Sequence, residues 1–277
     1  MGRLVIAAVP LGNPGDASLR LREAIQGASL VVAEDSRKFA RLCQELDIEA
    51  KAKVISFFEG NELARMDELL DALANENEIL LVTDAGLPAI SDPGYRVITA
   101  ALQAGHQLAV LPGPSAVTTA LLHSGLPTDR FTFEGFVPRS ELARQNYLAL
   151  LAHEVRTMVF FEAPHRVTSF LADAIDNFGA NRRAAICREM TKRYEEIVRG
   201  ELSELLEWSK SKEMLGEFTI VIAGFDPDSV SYSDQDVLAL VLRFEATGIT
   251  RKEAIALAAK ELAMPKRKVF DILVANK

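Results

Sequence analysis

The 277-residue sequence has only two cysteines, one tryptophan and no long apolar run. Because Cys43 and Cys187 are too few for a disulfide framework or a cysteine-rich zinc site, we expect a reducing, cytoplasmic setting. No stretch approaches the ~20 apolar residues of a membrane helix, and the short apolar N-terminus runs into a turn. We therefore expect neither a membrane span nor a cleaved secretion signal. The four histidines lack metal-ligand spacing, so no metal site is predicted.

Positive charge is not in excess either. The 31 lysines and arginines against 39 aspartates and glutamates give a formal net charge of −8. This balance argues against a wholly basic protein that wraps nucleic acid, although it allows a local basic patch. The apolar share of 49% with 25% charged residues is typical of a globular chain and excludes a disordered one.

Short apolar runs alternate with longer amphipathic segments, which indicates the order β-α-β-α and mostly parallel strands buried under helices. We predict two α/β domains, residues 1–112 and 113–228, divided at a turn in which two prolines flank a glycine. A single continuous sheet is the alternative. Residues 229–277 are predicted to form a helical tail.

The tail contains three predicted helices, and the last two resemble a helix-turn-helix unit. Thr250 is the predicted N-cap of the second helix, and a short break at 263–265 precedes the third. The third helix opens with Lys266, Arg267 and Lys268, which are suited to phosphate. A helical cap with a solvated face is the alternative interpretation.

Four turns rich in glycine, proline and polar residues follow predicted strands, where open α/β sheets bind their ligands. In the second turn Pro88 and Pro93 fix φ, Gly86 and Gly94 permit unusual dihedral angles, and Asp84 places an acceptor at the end of a strand. This pattern predicts a stiff pocket wall for a nucleoside-like ligand, with a purely structural loop as the alternative. The four turns are PLGNPGD (10–16), TDAGLPAISDPG (83–94), LPGPSAVTTAL (111–121) and FFEAPHRV (160–167).

Basic residues are concentrated between residues 182 and 199, where six cations stand against three anions. Such a patch is suited to a polyanion, and a solvated face is the alternative. No G-x-S-x-G segment is present, so a serine nucleophile is not supported.

Seven stretches in order between residues 10 and 200 together resemble the tetrapyrrole methylase family of S-adenosylmethionine-dependent methyltransferases. More narrowly, they resemble those members that methylate the ribose 2′-hydroxyl of a cytidine in small-subunit (16S) ribosomal RNA. The stretches are PLGNPGD, AEDSR (33–37), TDAGLPAISDPG, LPGPSA, FEGFVPR (133–139), FFEAPHR and REMTKRYEEIVRG (188–200).

This resemblance implies two α/β domains with S-adenosylmethionine in the cleft between them, ribosomal RNA or the small ribosomal subunit as substrate, and a homodimer. It also implies a set of cofactor-binding residues, carried over motif by motif: Leu11, Gly12, Asp84, Ala85, Gly86, Ser115, Ala116, Phe161, Glu162, Met190, Thr219 and Ile220.

The catalytic residues are less directly implied, because the family usually carries histidines in the segment that reads FFEGNE here. Without a histidine, we predict that Glu34 or Glu59 accepts or orients the proton and that Arg37 holds a neighbouring phosphate. Helix capping and a surface ion pair are the alternatives for these residues. Two other functions stay open: methylation of a tetrapyrrole or protein acceptor, and a non-catalytic RNA-binding role in ribosome assembly.

Overall fold

Apolar strands form two separate five-stranded sheets in the computed structural model, which describes residues 1–75, 78–227, 233–262 and 264–276. The first sheet has the order β3-β2-β4-β1-β5, and all neighbouring strands are parallel. Its strands are β1 (Arg3–Ala7), β2 (Leu30–Ala33), β3 (Lys53–Ser56), β4 (Glu78–Val82) and β5 (Gln107–Leu111).

Helices cover both faces of the first sheet because successive side chains of a strand point to opposite faces. Val5 packs with the helices α1 and α2, whereas Leu4 and Ile6 pack with α3 and α4. The four helices are α1 (Leu19–Gly27), α2 (Ser36–Glu45), α3 (Glu62–Ala74) and α4 (Tyr95–Gln103).

The second sheet is mixed and has the order β6-β7-β10-β8-β9, in which only β6 and β7 are parallel. Helix α5 packs on one face and α6, α7 and α8 on the other. The elements are β6 (Phe131–Phe136), β7 (Thr157–Glu162), β8 (Arg183–Arg188), β9 (Glu196–Glu201), β10 (Phe218–Ile222), α5 (Ala116–Ser124), α6 (Glu141–Leu150), α7 (Val167–Phe178) and α8 (Leu202–Lys210).

Three C-terminal helices pack around a separate apolar core that includes Val237, Ala258 and Val269. They are α9 (Asp234–Glu245), α10 (Arg251–Glu261) and α11 (Lys266–Ala275). Thr250 caps α10 as predicted, since its hydroxyl accepts from the N–H of Glu253. The predicted start of the tail at residue 229 and residue 263 of the predicted break lie outside the described residues.

The predicted α/β architecture with a helical C-terminal segment is confirmed, and the two sheets are separate. Two edge strands, β3 and β9, were not among the predicted strands: β3 is short and only partly buried, and β9 carries two glutamates and an arginine. Such a strand lacks the apolar run that marks its neighbours. The domain boundaries at residues 112 and 228 stay predictions.

A buried ion pair joins α6 to α7 beneath the second sheet. Arg144 donates through Nε to the carboxylate of Asp173, and both side chains are less than one-tenth exposed. Gln145 donates to the other oxygen of the same carboxylate. Because each charge compensates the other away from water, the loss of one partner leaves an uncompensated buried ion.

We expect Asp173→Ala to lower the free energy of unfolding by about 3–5 kcal/mol, since it strands the Arg144 guanidinium in the core. Urea unfolding followed by circular dichroism measures this change. Asp176→Ala on the exposed face of α7 is the matched control, with an expected change below about 0.5 kcal/mol. Equal losses for the two variants would contradict the assignment.

Candidate active site

A cavity of about 380 Å³ lies between the two sheets and is lined by residues from both. This volume is in the range of small-molecule binding sites. The first sheet supplies the loops that follow β1, β2 and β4, and the second supplies the end of β7 and the start of β10. The lining residues are Leu11, Glu34, Lys38, Asp84, Ala85, Gly86, Leu87, Ile90, Ser91, Asp92, Ser115, Ala116, Val117, Phe136, Phe161, Glu162, Ala163, Met190, Glu217, Phe218 and Thr219.

Reciprocal main-chain hydrogen bonds connect the loops that follow β1 and β4. The N–H of Val9 donates to the carbonyl of Gly86 at 2.8 Å, and the N–H of Gly86 donates back at 3.2 Å. Gly86 has φ +76°, which glycine adopts without strain, and a Cβ at this position would lie 3.4 Å from Leu11 Cδ2. The main chain of both loops is therefore fixed at the cavity wall.

The remainder of the loop after β4 is strained and is held by a buried carboxylate. Ala89 and Ser91 have φ +70° and +63°, in the left-handed region that non-glycine residues rarely occupy. Glu62 at the start of α3 accepts from the N–H of Gly94 at 3.0 Å. Such strain is concentrated at functional sites, where the surrounding structure maintains it.

Three carboxylates, Glu34, Asp84 and Asp92, line one side of the cavity. Glu34 accepts from the Thr83 hydroxyl at 2.6 Å, and Asp84 pairs with Lys38 Nζ at 2.8 Å. Burial, together with the negative charge of Glu34, raises the pKa of Asp92 to about 7. A carboxylate with this pKa both holds and releases a proton near neutral pH, as a general base must.

Glu162 at the end of β7 places another carboxyl group in the lining. Its side chain is fully buried, and its Oε2 atom has no hydrogen-bond partner among the residues that the structure describes. Its Oε1 atom lies 3.2 Å from Arg166 Nε, and burial raises the pKa of the carboxyl group. A buried polar atom without a partner indicates a place for a ligand group.

The structure brings most of the predicted site residues together at this cavity. Eleven of them are in its lining: Leu11, Glu34, Asp84, Ala85, Gly86, Ser115, Ala116, Phe161, Glu162, Met190 and Thr219. Their roles stay predictions, because position alone does not assign a function.

Four predicted residues lie outside the lining. Gly12 lies at the rim, where a Cβ would come within 2.2 Å of the Lys192 side chain. Arg37 points to solvent and pairs with Asp35 at 2.7 Å, and Glu59 is exposed in the turn after β3. The side chain of Ile220 packs in the core of the second sheet, because it alternates with Thr219 along β10.

Sequence reasoning missed the lining residues Lys38, Asp92, Phe136 and Glu217. Asp92 had a recognisable signal, since it is the second aspartate of the loop that was predicted to form the pocket wall. Phe136 lies in the stretch FEGFVPR, which carried the family resemblance but was given no binding role, and Glu217 directly follows Gly216 in a segment that was not among the four predicted turns.

The predicted basic patch between residues 182 and 199 is not one continuous cationic surface. Arg188 and Lys192 form ion pairs, while Arg182 and Arg199 donate to main-chain carbonyls. Within the described part of the chain, this leaves Arg183 and Arg193 without an ion pair or hydrogen bond. Arg183 is at the start of β8, and β8 runs antiparallel to β10, so Arg183 lies at the end of the sheet away from the cavity.

The sequence matches the family model of Tetrapyrrole (Corrin/Porphyrin) Methylases over residues 3–206. The chain belongs to the tetrapyrrole methylase family. The predicted family is thereby confirmed, and the match ends before α9, so that the three C-terminal helices lie outside it.

Relatives match over the full length of the chain. Proteins named ribosomal RNA small subunit methyltransferase I from Mycobacterium bovis and Mycobacterium tuberculosis are 47% identical over 277 residues, covering 100% of this chain and 96% of theirs. A protein of the same name from Halalkalibacterium halodurans is 37% identical, with coverage of 98% and 94%.

Solved structures of the family share the fold at low sequence identity. A uroporphyrin-III-C-methyltransferase from Thermus thermophilus superimposes with a TM-score of 0.60 at 16% identity, covering 80% of this chain and 94% of its own. A cobalt precorrin-4 methyltransferase gives a TM-score of 0.60 at 17% identity with the same coverage. These likenesses support the arrangement of the two sheets.

Two absences hold for the residues that the structure describes. No group of three histidine, cysteine, aspartate or glutamate side chains there is arranged to hold a metal ion. No helix in those ranges combines the length and apolar character needed to cross a membrane.

The raised pKa of Asp92 predicts a pH-dependent effect of Asp92→Asn on stability. The native state holds a proton on Asp92 between pH 3.8 and about 7, so wild-type stability falls as pH rises through this window. Removal of the charge is therefore expected to raise the Tm at pH 8 by roughly 3 °C or more and by less at pH 5. Thermal unfolding at both pH values measures it.

Asp176→Asn, at an exposed position on α7, is the control and should leave the pH dependence of the Tm unchanged. A Tm difference between Asp92→Asn and wild type that does not grow with pH would contradict the assignment.

Proposed function

We propose that the protein transfers a methyl group from S-adenosylmethionine to the ribose 2′-hydroxyl of a cytidine in small-subunit (16S) ribosomal RNA. The acceptor is supported by the full-length match to relatives named ribosomal RNA small subunit methyltransferase I. The chemistry is supported by the cavity, in which a half-buried carboxylate of raised pKa lies beside two others.

The residues of the cavity fit S-adenosylmethionine. Its cationic ammonium and sulfonium groups suit the side lined by Glu34 and Asp84. Its adenine suits the apolar wall of Phe161 and Met190, and Glu162 Oε2 is a buried oxygen that still needs a partner among the described residues. When bound, this cofactor supplies an electrophilic methyl group on sulfur.

Asp92 is the proposed general base. A ribose hydroxyl is a poor nucleophile, so a carboxylate that takes its proton during the transfer accelerates the reaction. Burial beside Glu34 makes Asp92 a stronger base than an exposed aspartate. Glu34 and Asp84 are already engaged by Thr83 and Lys38, so they position groups rather than accept a proton.

The charge distribution agrees with an RNA substrate. Residues 229–277 carry 8 basic and 6 acidic residues, whereas residues 1–228 carry 23 and 33. On α11 the exposed basic residues at its N-terminus adjoin Phe270, which is 54% exposed. The C-terminal helices are thus the part of the chain best suited to hold a polyanion, while the acidic part carries the cavity.

The proposal includes a homodimer and a cytoplasmic location. Large apolar side chains that a second copy would cover include Leu142 and Leu150 on α6, each at least 71% exposed. The free thiols of Cys43 and Cys187 are both buried, which fits a reducing compartment.

Incubation of small ribosomal subunits with methyl-labelled S-adenosylmethionine tests the function. We expect a single 2′-O-methylated cytidine in nuclease digests of the 16S RNA, identified by mass spectrometry. Asp92→Asn should lower kcat by about 10²–10⁴-fold with the cofactor Kd unchanged, and wild-type kcat should fall as pH drops below about 7.

If the labelled methyl group appeared on a protein or a tetrapyrrole instead of RNA, the proposed acceptor would be wrong. RNA binding without any transfer would favour a role in ribosome assembly. An Asp92→Asn enzyme of normal kcat would refute the proposed base.

Gly86→Val is expected to weaken cofactor binding by at least about 10-fold, because it disturbs a main chain that is fixed at φ +76° on the cavity wall. Gly105→Val is the matched control, since Gly105 has φ +78° but open space within 4 Å of where a Cβ would lie. Isothermal titration with S-adenosylmethionine measures both. Equal loss of affinity in the two variants would indicate general destabilisation.

A further inference from the structure

A tight turn at the rim of the cavity displays an arginine and a tyrosine to solvent. The N–H of Glu195 donates to the carbonyl of Lys192 at 3.1 Å, which makes Arg193 and Tyr194 the central residues of the turn. Tyr194 is 66% exposed, so its ring is not part of any core.

One end of this turn is bound to the cavity lining, and the other end is bound to the residue that precedes the turn. Lys192 Nζ lies 3.0 Å from the carboxylate of Glu217, a residue of the cavity lining. The Glu195 carboxylate accepts from the N–H of Thr191 at 2.6 Å. Since consecutive Cα atoms are about 3.8 Å apart, the Cα of Tyr194 lies within about 8 Å of that of Lys192.

The exposed pair has the chemistry of a nucleobase platform. The Arg193 guanidinium lies 5.5 Å from the centre of the Tyr194 ring, and within the described ranges it has no carboxylate partner. Unpaired bases of single-stranded RNA stack on aromatic rings and guanidinium planes, and the positive charge attracts the adjacent phosphate.

We propose that Tyr194 and Arg193 stack an unpaired base that neighbours the methylated nucleotide and thereby position the target ribose over the cavity. The inference rests on the proposed RNA substrate and adds residues that recognise it. Tyr194 is not in the cavity lining, so its ring serves the RNA and not the cofactor. Of the two cations in the 182–199 segment that lack polar partners among the described residues, Arg193 is the one on the cavity side.

Steady-state methylation of small ribosomal subunits by Tyr194→Ala and Tyr194→Phe tests the platform. Loss of the ring should raise the KM for subunits about 10-fold, whereas the phenylalanine variant, which keeps the ring, should stay within about 2-fold of wild type. The Kd for S-adenosylmethionine should stay within about 2-fold in both. Phe131→Ala is the control, because this exposed ring is at the far end of β6 and should leave the KM unchanged.

Tyr194→Trp supplies a direct reading of stacking. Trp208 is the single tryptophan of the wild-type chain, so the difference in tryptophan fluorescence between the variant and the wild type comes from the new indole. Addition of a single-stranded RNA with the sequence around the methylated cytidine should quench the fluorescence of the new tryptophan. Added salt should weaken this quenching, because it weakens RNA binding.

Three results would contradict the proposed role of Tyr194. They are an unchanged KM of Tyr194→Ala for subunits, a rise in its cofactor Kd as large as the rise in its KM, and a change in its oligomeric state in sedimentation. The wild type is assayed alongside. A wild type that labels no RNA counts against the proposed function, whereas a normal wild type with an unaffected Tyr194→Ala counts against the platform alone.

Discussion

The main-chain pairing of Val9 with Gly86 is the constraint on which the cavity depends. It joins the loops that follow two adjacent parallel strands, so that both present backbone groups to the same space. Parallel strands bring their carboxyl ends to one edge of the sheet, but they do not by themselves fix the loops beyond it. The pairing fixes them, with glycine at a position whose φ is positive and whose Cβ would approach Leu11. The second sheet then closes the cavity from the other side with β7 and β10.

The electrostatics of the site oppose the stability of the fold. Three carboxylates share one wall, where the Thr83 hydroxyl donates to Glu34 and Lys38 offsets the charge of Asp84. Asp92 is left with a raised pKa, which lowers stability as pH rises from 3.8 to about 7. The strained φ angles of Ala89 and Ser91 add to this cost in the same loop. Because both costs are located where a proton must be removed, they are best understood as requirements of the proposed chemistry.

Much of the fold could be predicted from the sequence, because the periodicity of hydrophobic residues and the composition of each segment indicate which segments are buried. The apolar strands β1, β4, β7 and β10 are buried, and each appears as an apolar run. β9 could not be found in this way, since an edge strand satisfies its backbone without apolar side chains on both faces.

The cavity loops were recognised by their glycines and prolines. Asp92 was not chosen within them, because the pKa of a carboxyl group depends on neighbours that sequence does not place. Arg37 and Glu59 were chosen from the stretches AEDSR and FFEGNE because they carry charge there, but both side chains are exposed to solvent.

An acidic protein that acts on RNA must keep its negative cavity from repelling the substrate. The acidic wall suits the positively charged cofactor, and the same charges oppose the approach of phosphates. The chain separates these demands in space. Cations that lie near the cavity are mostly neutralised by ion pairs, as Lys38 and Lys192 are, whereas Arg193 and the basic start of α11 stay available. In the proposed function, the rim and the C-terminal helices attract the polyanion, and the cavity receives the sugar whose hydroxyl reacts. The C-terminal helices pack around an apolar core of their own, so their basic residues belong to a different part of the fold from the acidic wall of the cavity.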